Sequence, residues 1–217
     1  MKKTLFIEVR KKFDLNKVKF ELLDKLPGKA VSLAGTIQYL DLVPKVKRYL
    51  EKQGRKVIIK KGAYYEAHVI GCNASAFDKN ADNLLLLSDG KFHALNNAVI
   101  LNKEIYVFSG EVLEKFEQKE IDKILKRKRG NQSKFLNSDS VGILSTIKPG
   151  QNFKAIKELK SKIEKINKKA YVFEADNINL SELDNFPDIK IWINTACYGL
   201  DMDDVRVVNL FDILEFL

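Results

Sequence analysis

Cysteine and histidine are scarce in this chain, with two of each in 217 residues and no Cys-x-x-Cys pair. That scarcity removes the zinc-ribbon and ferredoxin patterns, which need closely spaced thiolates. A four-ligand zinc site would consume the whole stock: Cys72, Cys197, His68 and His93. His68 precedes Cys72 by four within a strand-like run, a poor spacing for such a site. Long apolar runs are missing too: no stretch approaches the roughly 18 residues of a membrane span. At the front, "MKKTLFIEVRKKF" breaks its apolar stretch at Glu8 and Arg10, unlike a secretory signal. A cytoplasmic protein is expected, and disulfides are disfavoured in that compartment.

What is present is ordinary for a soluble globular protein: 45% hydrophobic and 31% charged residues. A formal charge of +9 suits an acidic partner, or simply a lysine-rich surface. The 38 basic residues are spread along helix-like segments, which favours the second reading. An RNA-binding surface would place aromatics among the lysines, whereas here they fall mostly in strand-like runs. No direct nucleic-acid binding is expected.

Apolar periodicity predicts an alternating chain. "TLFIEV" reads as a strand and "DLNKVKFELLDKL" as a helix capped by Asp14. "KAVSLAG" reads as a buried strand. "TIQYLDLVPKVKRYLEKQ" is an amphipathic helix ending at Gly54, where Pro44 predicts a kink or a later start. Strands are then expected at "RKVIIK", "EAHVIGC", "NLLLLSDG" and "EIYVFSG", with a helix at "FHALNNAVIL". The basic stretch at 114–138 reads as a connector helix. Alternation resumes with "SVGILST", a helix at "NFKAIKELKSKIEKIN", "AYVFEA", "IKIWINTAC" and a last strand and helix in "VRVVNLFDILEFL".

Such alternation implies an α/β fold with mostly parallel sheets flanked by helices. "AVSLAGTIQYLDLVPKVKRYLEKQGRKVIIK" and "VGILSTIKPGQNFKAIKELKSKIEKINKKAYVFE" follow one pattern, so two duplicated domains are expected, 1–113 and 139–217. In each, a strand is expected to end on a cysteine, Cys72 or Cys197. Ligands of open parallel sheets sit at the carboxyl ends of strands. Two thiolates converging there would suit a soft metal or an iron–sulfur cluster, although buried core cysteines are a plain alternative. The turns "GTIQ" and "STIKPGQN" and the strand end "SDGKFH" are further candidates, each also explicable as turn chemistry.

Taken in order, "GTIQYL", "VIGCN", "SDGKFHALNNAV", "STIKPGQN" and "NTACYGLDMDD" resemble the diphthamide synthases, the 2-(3-amino-3-carboxypropyl)histidine synthases of archaea and eukaryotes. The resemblance spans essentially the whole chain. It implies a repeated α/β architecture around a 4Fe–4S cluster held by three cysteines, one per domain, with S-adenosylmethionine on the open iron. It further implies transfer of a 3-amino-3-carboxypropyl group to a histidine of translation elongation factor two. On that pattern Cys72 and Cys197 are cluster ligands. Gly35, Thr36, Gln38, Asp89, Gly90, His93, Thr146 and Gln151 fall in motifs around the cofactor. Two departures stand out. The chain starts where the family's second domain would start, so a second chain supplying the first cysteine domain, or a homologous subunit, is expected as partner. Tyr198 and Gly199 follow Cys197 where the family usually has proline and a basic residue, although Leu200 and Asp203 keep its spacing. A non-catalytic scaffold that holds the elongation factor is the competing expectation. The basic connector, with Lys123, Lys126, Arg127, Lys128 and Arg129, could meet acidic surface on that factor.

Overall fold

The structure, a computed structural model, describes residues 4–202 and 204–217, and Asp203 lies outside them. It divides into two compact units, Met1–Lys123 and Ile124–Leu217.

In the first unit, β1 (Ala30–Gly35), β2 (Lys56–Ile58), β3 (Asn83–Leu87) and β4 (Ile105–Phe108) form a parallel sheet. Its strand order is β2-β1-β3-β4, and β5 (Leu113–Phe116) closes the far edge antiparallel to β4. The interior strands are apolar on both faces, as a sheet covered on both sides requires. Val31, Leu33, Leu85 and Leu87 pack with Val46 and Leu50 of α1 (Val43–Lys52), while Leu84 and Leu86 are buried as well. Pro44 lies in the first turn of α1, where its missing amide costs nothing. It delays the α-helix, and a 3-10 segment, Ile37–Leu42, fills the gap after β1. Gly54, at φ 75°, ends the helix in the left-handed conformation expected of it. α2 (Phe92–Leu101) follows β3.

The second unit repeats the plan. β6 (Ser140–Thr146), β7 (Lys169–Ala175), β8 (Ile191–Asn194) and β9 (Val207–Asn209) are all parallel, in the order β7-β6-β8-β9. Relabelled from the first strand of each unit, both sheets read 2-1-3-4. One face of β6 and β8 packs on α4 (Ile156–Lys165) through Leu159 and Ile163; the other packs around Trp192. Gly142 is required by that ring: an added Cβ would sit 2.2 Å from Trp192 Cε3. α3 (Gln118–Leu136) straddles the division. Gln118 bonds Glu104 and Asn102 of the first unit, while Asn131 and Gln132 bond the carbonyls of Val207 and Asp212 of the second.

Five expected elements differ, among them the last helix, where "LFDILEF" forms only 3-10 segments at Leu210–Asp212 and Leu214–Phe216. "TLFIEV" is extended but pairs with no sheet among the described residues, and Leu5, Phe6, Ile7 and Val9 are exposed. "DLNKVKFELLDKL" gives only a turn, in which Asp14 Oδ1 accepts from the Asn16 amide, and a 3-10 segment at Phe20–Lys25. "EAHVIGC" makes isolated bridges instead of a strand, because Ala67 adopts φ 60° and breaks the extended run. The connector does not begin as a helix: Leu113–Phe116 is an edge strand whose Val112, Leu113 and Phe116 spacing imitates a helical face.

Candidate functional site

Topology separates the two cysteines. Cys72 lies in the crossover between the second and third strands of its unit, whereas Cys197 follows the third strand of its own. The expectation that each closes an equivalent strand is therefore incorrect. The counterpart of Cys197 in the first unit is the Ser88–Asp89–Gly90 turn after β3.

Cys72 sits in a four-residue turn, Ile70–Asn73, closed by the Asn73 amide donating to Ile70 O at 3.2 Å. The loop returns to the carboxyl edge of β1 through His68: Gly35 N donates to Ala67 O at 2.8 Å and Val69 N to Gly35 O at 3.0 Å. From α2, Asn97 Nδ2 donates to Ile70 O at 3.2 Å and to His93 O at 2.7 Å. Gly71 backs onto the Phe92 ring. The turn is thus held from behind by α2, and Cys72 is an exposed residue. Neither Cys72 nor Cys197 is a buried core residue, which removes the plain alternative.

Around this turn stand both histidines. Burial holds the His68 imidazolium below its ordinary pKa, with Glu8 opposing it and Arg10 adding a smaller push in the same direction. Burial and then His68 do the same to His93. His68 Nδ1, Asn96 Nδ2 and Asn97 Oδ1 are buried polar atoms with no hydrogen-bond partner in the protein. Of the expected anion-binding amides in Gly35–Gln38, those of Gly35 and Thr36 are already committed to Ala67 O and Leu87 O. Gln38 is exposed, and so are Asp89 and Gly90, the latter at φ 73° as its turn requires. Sequence reasoning missed Lys11, whose Nζ bonds Asp89 at 3.2 Å and Tyr39 at 3.0 Å. Burial, with Asp89 next, pushes the Tyr39 phenol up to about 12, so it stays protonated. No periodicity could have pointed to Lys11, because its segment belongs to no regular element.

In the second unit, Cys197, Thr146 and Gln151 line one cleft of about 210 Å³ with Lys148, Asp176, Asn177, Ile178, Ala196 and Leu200. Thr146 Oγ1 ties the rim together, donating to Asp176 O at 3.0 Å and accepting from Lys148 N at 3.2 Å. The Cys197 turn is clamped by buried amides. Asn194 Nδ2 donates to Cys197 O at 2.7 Å and to Asn209 Oδ1 at 2.6 Å; Asn209 Nδ2 donates to Tyr198 O at 2.9 Å. Asp176 and Asn177 were missed, although a polar "EADN" at the end of a strand was the available signal.

Lys128 corrects a further expectation. It is buried, donating to Asp212 Oδ2 at 2.6 Å and Tyr198 Oη at 3.1 Å, and is not offered to a partner's acidic surface. Lys123, Lys126 and Arg129 remain exposed, and Arg127 is half-buried. Tyr198 is seated by the Lys128 cation, 4.6 Å from its ring centre.

A thiolate is the right donor for iron, and each unit carries one cysteine outside its core on a braced turn, Cys72 exposed and Cys197 partly exposed. In kind the residues fit a cluster, but in number they fall short. Among the described residues no group of three or more His, Cys, Asp or Glu side chains could hold a metal ion. No helix among them is long and apolar enough to cross a membrane.

Comparison with known proteins agrees with this architecture. The first solved structure, "Dph2 from Pyrococcus horikoshii", superposes with a TM-score of 0.77 at 21% identity, covering 92% of this chain and 60% of that one. A second structure of the same protein, with a 4Fe-4S cluster, gives 0.76. The 2-(3-amino-3-carboxypropyl)histidine synthase of Pyrococcus horikoshii is 23% identical over 82% of this chain and 52% of its own length. That of Methanocaldococcus jannaschii is 29% identical over 93% and 57%. In Schizosaccharomyces pombe, subunit 1 of the synthase is 26% identical over 93% and 49%. The chain thus spans about half the length of these relatives. The family model described as "Putative diphthamide synthesis protein" matches residues 1–209. The chain belongs to the diphthamide synthesis protein family.

Proposed function

We propose that this chain acts in the first step of diphthamide formation, the transfer of a 3-amino-3-carboxypropyl group from S-adenosylmethionine to a histidine of translation elongation factor two. One observation carries this reading: each parallel sheet holds a cysteine outside its core on a braced turn, and the one in the second unit opens into a polar cleft. Family membership supports it. In this reading Cys72 and Cys197 hold a 4Fe–4S cluster as thiolates, with the remaining protein ligand coming from outside these 217 residues, on a separate chain or a homologous subunit. When bound, the cluster supplies the electron for radical cleavage of the cofactor's sulfur–carbon bond.

The chain's own residues position and exclude. Lys148 and Asp176 offer opposite charges at the cleft, complementary to the carboxylate and ammonium of an amino-acid group. Thr146 fixes the backbone on which both stand, and Gln151 adds a neutral hydrogen-bonding group. Around Cys72, burial keeps His93 neutral, so it can accept or donate without adding charge beside a cluster. Asp89 and Gly90, with Gly35, Thr36 and Gln38, form the rim of that unit.

A non-catalytic scaffold is the second reading, favoured by the shortage of ligands. Transfer of label from carboxyl-labelled S-adenosylmethionine to the elongation factor separates the two. The catalytic reading expects label that is lost in both Cys72→Ala and Cys197→Ala when companion subunits are present. Label unchanged in both variants would leave the scaffold.

A further inference from the structure

The segment before Lys11 has no role in either reading. Leu5, Phe6, Ile7 and Val9 are 82, 71, 77 and 65% exposed, an unusual density for four residues within five positions. They are extended, and no backbone group of Leu5–Val9 pairs with other backbone among the described residues. Alternation sorts their side chains. Glu8 and Arg10 share one face and turn back onto their own unit: Glu8 accepts from Tyr65 Oη, and Arg10 donates to Asp41 Oδ1 at 3.2 Å. Leu5, Ile7 and Val9 share the opposite, wholly apolar face. An extended segment with one face anchored, the other apolar and its backbone unused is built to complete a sheet edge.

We propose that Leu5–Val9 is a docking strand that adds to an open sheet edge in the polypeptide supplying the further cluster ligand. This rests on the proposed function. That reading requires a donor from outside these residues, and the solved neighbour of the same fold carries chain well beyond the part matched here. One polypeptide meets both needs. The strand is also continuous with the candidate site. Two residues past Val9, Lys11 N donates to Gln38 O at 2.9 Å and Lys11 Nζ reaches Asp89, so a seated strand steadies the rim beside Cys72.

The test uses the full chain with the companion protein of the source organism, chosen by its match to the uncovered part of the solved neighbour. Hydrogen exchange of the Phe6–Val9 amides, binding and iron content are read together. Protection of these amides in the complex is expected. Ile7→Glu should weaken binding at least about tenfold, the loss of one buried aliphatic side chain, while Phe211→Glu, at an exposed residue of the other unit, should not. A complex that forms without protection and ignores Ile7→Glu overturns the docking strand. So does protection that appears in the chain alone and grows with its concentration, since the occupant is then a second copy. Failure to bind any such companion overturns it as well. Iron content decides separately: a pair that binds through this strand but takes up no cluster overturns the proposed function and leaves the docking strand standing.

Discussion

The two units share a 2-1-3-4 parallel order, and each backs its cysteine turn with a buried asparagine, yet they tie the surrounding rim by different means. In the second unit the Cys197 turn rests on buried polar groups: the Asn194–Asn209 amide pair, and Lys128 between Asp212 and Tyr198. In the first, the Cys72 turn is backed by α2, and the rim beside it is tied by an exposed pair, Lys11–Asp89, whose side chains are 45 and 65% accessible. Buried polar groups are costly to break because the abandoned partner cannot find water. Exposed pairs are cheap. The same sheet thus carries one cysteine frame with a buried rim and one with an exposed rim, and the exposed one adjoins the segment proposed to dock.

The comparison breaks most sharply at the two lysines. Lys128→Ala removes the largely buried contacts to Asp212 and Tyr198 and should destabilise the second unit by about 1–3 kcal/mol, read by denaturant unfolding. Lys11→Ala removes a surface pair and should cost no more than about 1 kcal/mol. Equal costs would erase the distinction. Next, Asn194→Ala leaves the Asn209 carboxamide and the Cys197 carbonyl short of a donor, at about 1–3 kcal/mol. Thiol alkylation at Cys197 should accelerate in that variant while alkylation at Cys72 does not change.

The smallest effect is in pH. Both histidines, His68 and His93, belong to the first unit, and burial holds each below the ordinary value of 6.5. The unfolded chain then binds protons more readily than the folded one. Stability is fully present above about pH 6.5 and is lost as pH falls through the lower folded values. Between pH 7.5 and 5.5, hydrogen-exchange protection should fall in the first unit and hold in the second. In the second, Asp204 is shifted in the same sense but in a lower range: its carboxyl is held low chiefly by the Arg206 hydrogen bonds, so its contribution is lost only at more acid pH. Equal loss in both units would contradict this.

Much of the fold was legible because apolar runs such as "VSLA", "LLLL" and "IWI" can be buried only as sheet interior, and because Pro44 marks a helix start. Segments that failed were those whose neighbours decide. "TLFIEV" has strand chemistry but no partner strand here, and "EAHVIGC" is interrupted by a left-handed Ala67 that no propensity foretells. At the site, Cys197, Thr146 and Gln151 were named from motifs at the ends of buried strands, and they line one cleft. Lys11 and the buried role of Lys128 were not, since a lysine's partner is fixed by tertiary contact and its residue type points to solvent.

The central claim is that the two cysteines serve one cluster. Anaerobic iron and sulfide reconstitution of the chain with its companion, for wild type, Cys72→Ala and Cys197→Ala, tests it most directly. Iron uptake with thiolate-to-iron absorption in the wild type, lost in both variants, is the predicted result. A cluster that forms equally well without either cysteine, or none in the wild-type pair, would contradict the account.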